Sequence, residues 1–493
     1  MPKPLEELRK IRLEKLEKLR KLGIEPYPAK ANRKHSTAQA QKKMGQKVAV
    51  AGRVMAKRGH GKIQFWDLSD ESGKIQLVFK EDKLINSLTR ELVTLIDIGD
   101  FIDVQGKVFK TKAGEKSVEV NDFHLLTKSI RPLPEKWQKI KDQELVYRRR
   151  YLDLAVNPER REMFKRKARF WELNREFMKK EGFIEVETPI LEHRTGGADA
   201  RPFVTHFNTL GQDFYLRISP ELYLKRLIGG GFEKVFVLGP NFRNEGISDE
   251  HLPEYYAIEW YWAYADYQDN MAMIKKMFRF LAKELYGKTR FKKGKLEYDL
   301  ADEWKEIDYT KILKEKLGVD IFKSTEKEMM GIVKKAGIEL SGEINRYRLI
   351  DNLWKLIRKD IAGPAFLVNE PKFMSPLAKS KPDDPRLTQR FHVLIAGREL
   401  GNGYSELNDP LDQLERFKDQ QSAREAGDEE AQMMDIDFVE MLEYGMPPTT
   451  GYAHSERLFW TLEGVTAREG TLFPALRFKQ SETSKAIYGI NKK

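Results

Sequence analysis

The chain has 493 residues, 40% hydrophobic and 33% charged, enough for two or three domains and balanced like a globular, heavily solvated protein. It holds no cysteine, which excludes disulfides, thiolate catalysis and cysteine-held zinc, and no stretch reaches the ~18 consecutive apolar residues of a membrane-spanning helix. A formal net charge of +12 favours a polyanionic partner, nucleic acid first, because each phosphate neutralised by Lys or Arg releases condensed counterions.

The opening MPKPLEELRK is charged and lacks the apolar core of a secretory signal, so a cytoplasmic protein is expected. Residues 1–44 read as a basic amphipathic helix and linker. Leu5, Leu8, Leu16, Leu19 and Leu22 recur at helical spacing, and Gly23, Pro26 and Pro28 close the segment. The apolar stripe is expected to pack on the chain's own fold. From 45 to 128 the pattern shortens to VAVAGRVM, KIQFWDL, KIQLVFK, FIDVQGKVF and KSVEVNDFHLL, separated by Gly and Asp turns. Five such strands predict an OB-type barrel, which binds single-stranded nucleic acid by stacking bases on exposed aromatics beside polar groups. Phe65, Gln76, Lys57 and Arg58 are the candidate contacts. Phe65 and Trp66 must face opposite ways along their strand, so one of them is expected outside the barrel.

Residues 129–145 form a Pro-containing linker, and 146–493 read as one mixed domain. FKRKARFWELNREFMKKEGFIEVETPIL (Phe164 to Leu191) predicts a helix that stops at Gly182 and a short strand running into Pro189. FVLGPNFRNEGISDEHLPEYYAIEWY (Phe236 to Tyr261) places Arg243, Glu245, His251 and Tyr255 on an irregular segment between two strand-like runs. Such a segment suits gripping a nucleotide: a planar fork for phosphate or carboxylate, an acceptor for an exocyclic amine, and a flat face for a base. Residues 286–348 predict a mostly helical insertion. TTGYAHSERLFW (Thr449 to Trp460) is a small-residue run, then Glu-Arg, then an apolar stretch.

In this order the helix-strand, irregular and small-residue segments resemble the three signature motifs of class II aminoacyl-tRNA synthetases. FYLRISPELYLKRLIGGGFEKVF, GRELGNGYSELNDP and EYGMPPT are similar to the lysyl-tRNA synthetase branch, and the resemblance covers nearly the whole chain. It implies an α+β fold, with an N-terminal OB-fold anticodon-binding barrel and a catalytic domain built on an antiparallel sheet flanked by helices. It also implies a homodimer formed through the segment ending at Pro189. The implied reaction joins L-lysine to ATP, giving lysyl-adenylate and pyrophosphate, and then transfers lysine to the 3′ end of tRNA(Lys).

Carried over residue by residue, Arg243 would bridge the amino-acid carboxylate and the α-phosphate, and Arg457 would hold the γ-phosphate end. Tyr255 would stack on adenine, Glu245 would read its amine, and His251 would contact the phosphates. Glu221 would accept from the α-amino group of lysine. Glu259 and Glu406 would hold its ε-ammonium beside Tyr261, Asn402 and Tyr404, with Gly197 allowing close backbone approach; a desolvated ammonium demands such carboxylates. Glu399 is the implied ligand of Mg²⁺, a cation that prefers hard oxygen. Where the family has a second acid, this chain has His392, for which a phosphate-facing or structural role is preferred over ligation. The alternatives are an aspartyl- or asparaginyl-type synthetase and a non-catalytic nucleic-acid-binding paralogue.

Overall fold

The computed structural model describes residues 4–60, 62–134, 142–338 and 345–489. It divides into two units, one of residues 1–141 with 478–493 and one of residues 142–477. The middle of the expected linker, 135–141, lies outside the described residues.

In the first unit the helix Leu5–Lys21 carries Glu6 and Glu7 in its first turn and Lys18, Arg20 and Lys21 in its last, matching the helix dipole at both ends. Leu19 enters the barrel core together with Leu22 and Ile24, so the apolar stripe packs on its own fold as expected. Strands Lys47–His60, Ile63–Asp70, Gly73–Lys80, Phe101–Lys110 and Lys116–Thr127 close into a barrel, which removes the open sheet edges. Trp66 points inward, fully buried, with Phe79 and Phe123 against its ring. Phe65 is on the outer face and half-buried. Arg58 pairs with Phe65 across the ladder and Lys57 with Trp66, so alternation separates the two basic residues onto opposite faces.

The second unit is built on an eight-stranded sheet in the order Lys305–Asp308, Ala365–Val368, Arg390–Ile395, Arg398–Ser405, Thr449–Ser455, Glu254–Ala263, Lys234–Phe242, Ile184–Glu185. The central pairings are antiparallel and the two edge pairings parallel. Helices Pro158–Lys180 and Tyr267–Tyr286 supply Phe170, Phe177, Ile274 and Phe278 to one core with Trp260 and Tyr452 of the sheet. The period of two then turns Glu259, Tyr261, Gly451 and Ala453 to the opposite face, where the site forms. The expected helix ending before Gly182 and the following strand are both present.

Two expectations change. The stretch 286–348 is not mainly helical at its start. It opens with the hairpin Arg290–Lys293 and Leu296–Asp299 and then supplies Lys305–Asp308 to the main sheet; only after this do helices Tyr309–Leu317 and Glu326–Lys335 follow. Four-residue strands are too short for alternation to register in a sequence window. The described tail 478–489 groups with the first unit rather than the second, and within the first unit the Arg131 guanidinium lies 5.4 Å from the Tyr488 ring centroid.

Trp66→Ala should therefore destabilise the barrel by ~3–5 kcal/mol, the usual cost of emptying an aromatic core position, whereas Phe65→Ala should cost under ~1 kcal/mol. Chemical denaturation of both variants checks this. Equal losses would place Phe65 in the core.

Candidate functional site

A cavity of about 410 Å³ opens on the face of the sheet away from the two long helices. Its floor is cut deep by small residues. In the register, Gly451 lies opposite Tyr261 and Ala453 opposite Glu259, leaving room above the strand for both longer side chains. A Cβ added at Gly451 would lie 2.4 Å from the Tyr261 ring and 2.5 Å from a Glu406 carboxylate oxygen. The strand Thr449–Ser455 pairs with both neighbours without a register shift, so the run Gly451, Ala453, Ser455 follows a regular path. Gly197 meets two demands at once: its φ is +85°, and a Cβ there would lie 2.7 Å from the Glu221 side chain.

Three buried carboxylates crowd one end of the site: Glu221, Glu259 and Glu406, at 3%, 5% and 1% exposure. Glu221 accepts from the Tyr404 hydroxyl and from the Lys225 ammonium, each at 2.6 Å. Glu406 forms an ion pair with the same Lys225. Glu259 accepts from Ser219 Oγ at 3.0 Å and from the Tyr261 hydroxyl at 3.0 Å, but among the described residues it forms no salt bridge. Burial first, and the charge of Glu221 second, push its pKa up to about 7. Glu221, Glu259, Tyr261, Asn402 and Tyr404 line the cavity; Glu406 does not, because it lies behind Gly451 and Tyr261 with Lys225. In this structure Glu406 meets the Lys225 ammonium, and one of its oxygens faces Gly451.

At the other end, the backbone N–H of Arg243 donates to Pro253 and closes the irregular loop between strands Lys234–Phe242 and Glu254–Ala263. The Arg243 guanidinium stands 5.5 Å from the Tyr255 ring centroid, and its buried Nε has no hydrogen-bond partner among the described residues. Glu245 is exposed at the loop. His251 holds Ser248 Oγ at 2.8 Å through Nδ1. His251 is exposed as a residue, while desolvation of its ring first and the charge of Arg457 second lower its pKa to about 4. Arg457 begins the helix Arg457–Glu463 and is fixed by donating to the Glu250 and Glu399 carbonyls at 3.3 and 2.9 Å. It does not pair with adjacent Glu456, whose partner is Lys167. Arg243, Glu245, His251, Tyr255 and Arg457 line the same cavity.

Glu399 accepts from the Trp354 indole N–H, and its other oxygen lies 3.7 Å from His392 Nδ1. His392 Nε2 is engaged by Glu370, whose carboxylate also accepts from Ser375 and Arg390 at 3.0 and 3.1 Å. With both ring nitrogens facing carboxylates, His392 is a link between two acids rather than a metal ligand. Among the described residues no group of three His, Asp or Glu converges as a metal cage. The donor set still fits Mg²⁺, which is commonly held by one or two carboxylates together with substrate phosphates and water, and Glu399 offers one hard carboxylate to the cavity.

On the barrel, Arg58 pairs with Asp67 at 2.7 Å on the Phe65 side. Gln76 accepts from Ser117 Oγ at 2.9 Å and donates to Glu115 at 3.2 Å. Lys57 is the exception among the expected contacts. Its ammonium donates to the Val93 and Ile96 carbonyls at 3.3 and 2.6 Å, at the end of helix Ser87–Leu95, and burial lowers its pKa to about 8. It closes a helix terminus instead of facing outward.

Residues that sequence reasoning passed over include Lys225, Glu370, Arg390 and Trp354. Lys225 had a signal, since Glu221 and Lys225 are four apart on the helix Glu221–Gly229, but the same spacing marks countless surface pairs. Trp354 comes from helix Arg346–Arg358, which no motif connects to the sheet.

Comparison with known proteins agrees with this layout. Residues 142–477 match the family described as tRNA synthetases class II (D, K and N), and residues 48–126 match the OB-fold nucleic acid binding domain. A lysine–tRNA ligase of Thermotoga maritima is 45% identical, covering 98% of this chain and 99% of the relative. Those of Thermosipho africanus and Moorella thermoacetica are each 44% identical over 96% of this chain, covering 96% and 98% of the relatives. Among the described residues no helix is long and apolar enough to cross a membrane.

An acid buried without a cation costs stability. Because Glu259 binds its proton more tightly in the fold than the 4.5 of an ordinary glutamate, the native state holds a proton that the unfolded state has lost, and stability falls as pH rises from about 4.5 through about 7. Glu259→Gln should remove this loss. Its melting temperature should exceed that of the parent at pH 8 and converge with it near pH 5; a variant less stable than the parent at both pH values would contradict the assignment.

Proposed function

The chain belongs to the lysine–tRNA ligase family of class II synthetases, and from its site we propose how it activates lysine with ATP and loads tRNA(Lys). The observation that carries the reading is Glu259: a buried carboxylate on the cavity wall, without a protein cation among the described residues, waiting for an ammonium. Lysine enters with its ε-ammonium at Glu259 and Tyr261 and its α-ammonium at Glu221. Asn402 and Tyr404 close the sides, and Glu406 acts through Lys225. Its carboxylate then lies toward Arg243, whose buried Nε is free to donate.

ATP occupies the opposite end, with adenine on Tyr255, its amine read by Glu245, and the phosphates along His251 and Arg457. The lysine carboxylate attacks the α-phosphorus, a new P–O bond forms, and the bond to pyrophosphate breaks. Arg243 aligns the two anions and neutralises charge that grows in the transition state, so positioning and electrostatics do most of the work. Mg²⁺, held by Glu399 together with the phosphates, supplies further charge neutralisation when bound. In the second step a terminal ribose hydroxyl of tRNA attacks the activated carbonyl and AMP leaves. On the barrel, Phe65 stacks on an anticodon base beside Gln76 and Arg58.

Two further parts of the reading rest on surface features. Ile190, Leu191, Val204 and Leu210 are exposed apolar residues on and beside the small sheet of Leu191–Glu192, Phe203–Phe207 and Gln212–Leu216, and Ile184 is exposed on the edge strand of the large sheet, the kind of surface that a homodimer covers. A cytoplasmic location follows from the work of charging tRNA.

Exchange of labelled pyrophosphate into ATP tests the reading. It should depend on lysine and on no other amino acid; exchange with aspartate or asparagine would assign the chain to another branch, and silence with all amino acids would favour a nucleic-acid-binding paralogue. In a magnesium titration of this exchange, Glu399→Gln should be nearly inactive, and near-normal exchange at ordinary magnesium would remove Glu399 from the metal site. Phe65→Ala should slow tRNA charging by ~1–3 kcal/mol of lost stacking while leaving exchange unchanged. Equal losses in both steps would exclude an anticodon role.

A further inference from the structure

Lys225 is fully buried, lies behind the cavity wall, and is the cation bound to two of the three carboxylates. Its ammonium is 2.6 Å from a Glu221 oxygen and is ion-paired with Glu406, while the rings of Tyr404, Phe438 and Tyr261 surround it with centroids at 5.5, 5.7 and 5.9 Å. Two carboxylates that share a site cannot both ionise cheaply, since one takes up a proton unless a cation stands between them. Lys225 is that cation. Counted as formal charges, three carboxylates and one ammonium sum to minus two, and burial raises the proton affinity of Glu259 and Glu406 above that of an ordinary glutamate until a cation arrives. A bound lysine brings two ammonium groups.

We propose that Lys225 is a positioning residue, the shared counter-cation that fixes Glu221 and Glu406 and sets the charge of the wall to match the two ammonium groups of a lysine substrate. The inference rests on the functional reading above and names a residue that acts without touching the substrate. A purely apolar residue at 225 would fill the same space, but Glu221 and Glu406 would then share a proton. Glu221 would lose acceptor capacity toward the α-ammonium, and its Tyr404 contact would be rearranged. The ionisable groups that face this cluster come from every element around it: Glu221 and Lys225 on the helix, Glu259 and Tyr261 on one strand, and Tyr404 and Glu406 on and after the next. Two arginines act from outside. The charge of Arg217 reaches Glu259, and Arg390 lies 5.5 Å from the Tyr404 ring centroid. Burial would lower the Lys225 pKa, but Glu221 and Glu406 more than offset that and hold it charged.

The test compares the parent protein, Lys225→Met and the double variant Lys225→Met/Glu406→Gln, using KM for lysine and KM for ATP in pyrophosphate exchange from pH 6.5 to 9. Lys225→Met should raise KM for lysine at least ~30-fold at pH 7 with KM for ATP within ~threefold, and the defect should shrink toward pH 9 as the shared proton leaves. The parent should be nearly flat above pH 8. The double variant removes both members of a buried pair, which proteins commonly tolerate, and so remains measurable even where Lys225→Met folds poorly. It removes the acid that would share a proton with Glu221 and should recover the parent's pH profile, with KM for lysine below that of Lys225→Met. The inference is overturned if the double variant is as impaired as Lys225→Met, or if the two KM values rise together without pH dependence, as lost packing would produce. Absence of lysine-dependent exchange in the parent itself would overturn the functional reading instead, so the two failures are distinguishable.

Discussion

Three carboxylates buried in one wall are the constraint around which the catalytic unit is arranged. Desolvating a carboxylate without a partner costs several kcal/mol, so each acid must be supplied with a donor or a cation. Tyr404 and Lys225 serve Glu221, Lys225 serves Glu406, and Ser219 and Tyr261 serve Glu259. Only for Glu259 are the partners neutral. That one omission separates a site for a cationic ligand from a well-satisfied core.

The backbone accommodates this wall through geometry set elsewhere. Two long helices take up one face of the sheet with aromatic and aliphatic side chains, and alternation delivers the polar set to the other face. Gly451 and Ala453 keep the floor low, so that Glu259 and Tyr261 from the adjacent strand rise over it. The opposite end of the cavity follows the same logic. Arg243 and His251 come from one loop between paired strands, Tyr255 from the start of the second of those strands, and Arg457 begins the helix that continues the neighbouring strand.

Much of this was legible in the chain because long motifs combine residue types with fixed order. The five barrel strands, the helix before Gly182, the irregular segment that brings Arg243 and His251 to the cavity, and the small-residue strand leading into Arg457 were all readable. Other features were not. The partner that makes Glu406 tolerable sits 181 positions earlier, at Lys225, and an ion pair across the fold leaves no local pattern. Glu370 meets His392 in the same way, from a loop whose sequence shows only an acid before a proline. Lys57 was misplaced because adjacent basic residues look alike until the strand register assigns them to opposite faces. The short strands before Tyr309 were hidden by the helices that surround them.

The central claim is that the wall selects an ammonium at the far end of the ligand. It is tested most directly by calorimetric binding of L-lysine and of 2-aminohexanoic acid, which has the same carbon chain and lacks only the ε-ammonium. Leaving a buried carboxylate without its cation costs ~3–5 kcal/mol, so lysine should bind at least ~100-fold more tightly. Affinities within ~threefold of one another would contradict the account, because the acids would then have no role in choosing the ligand.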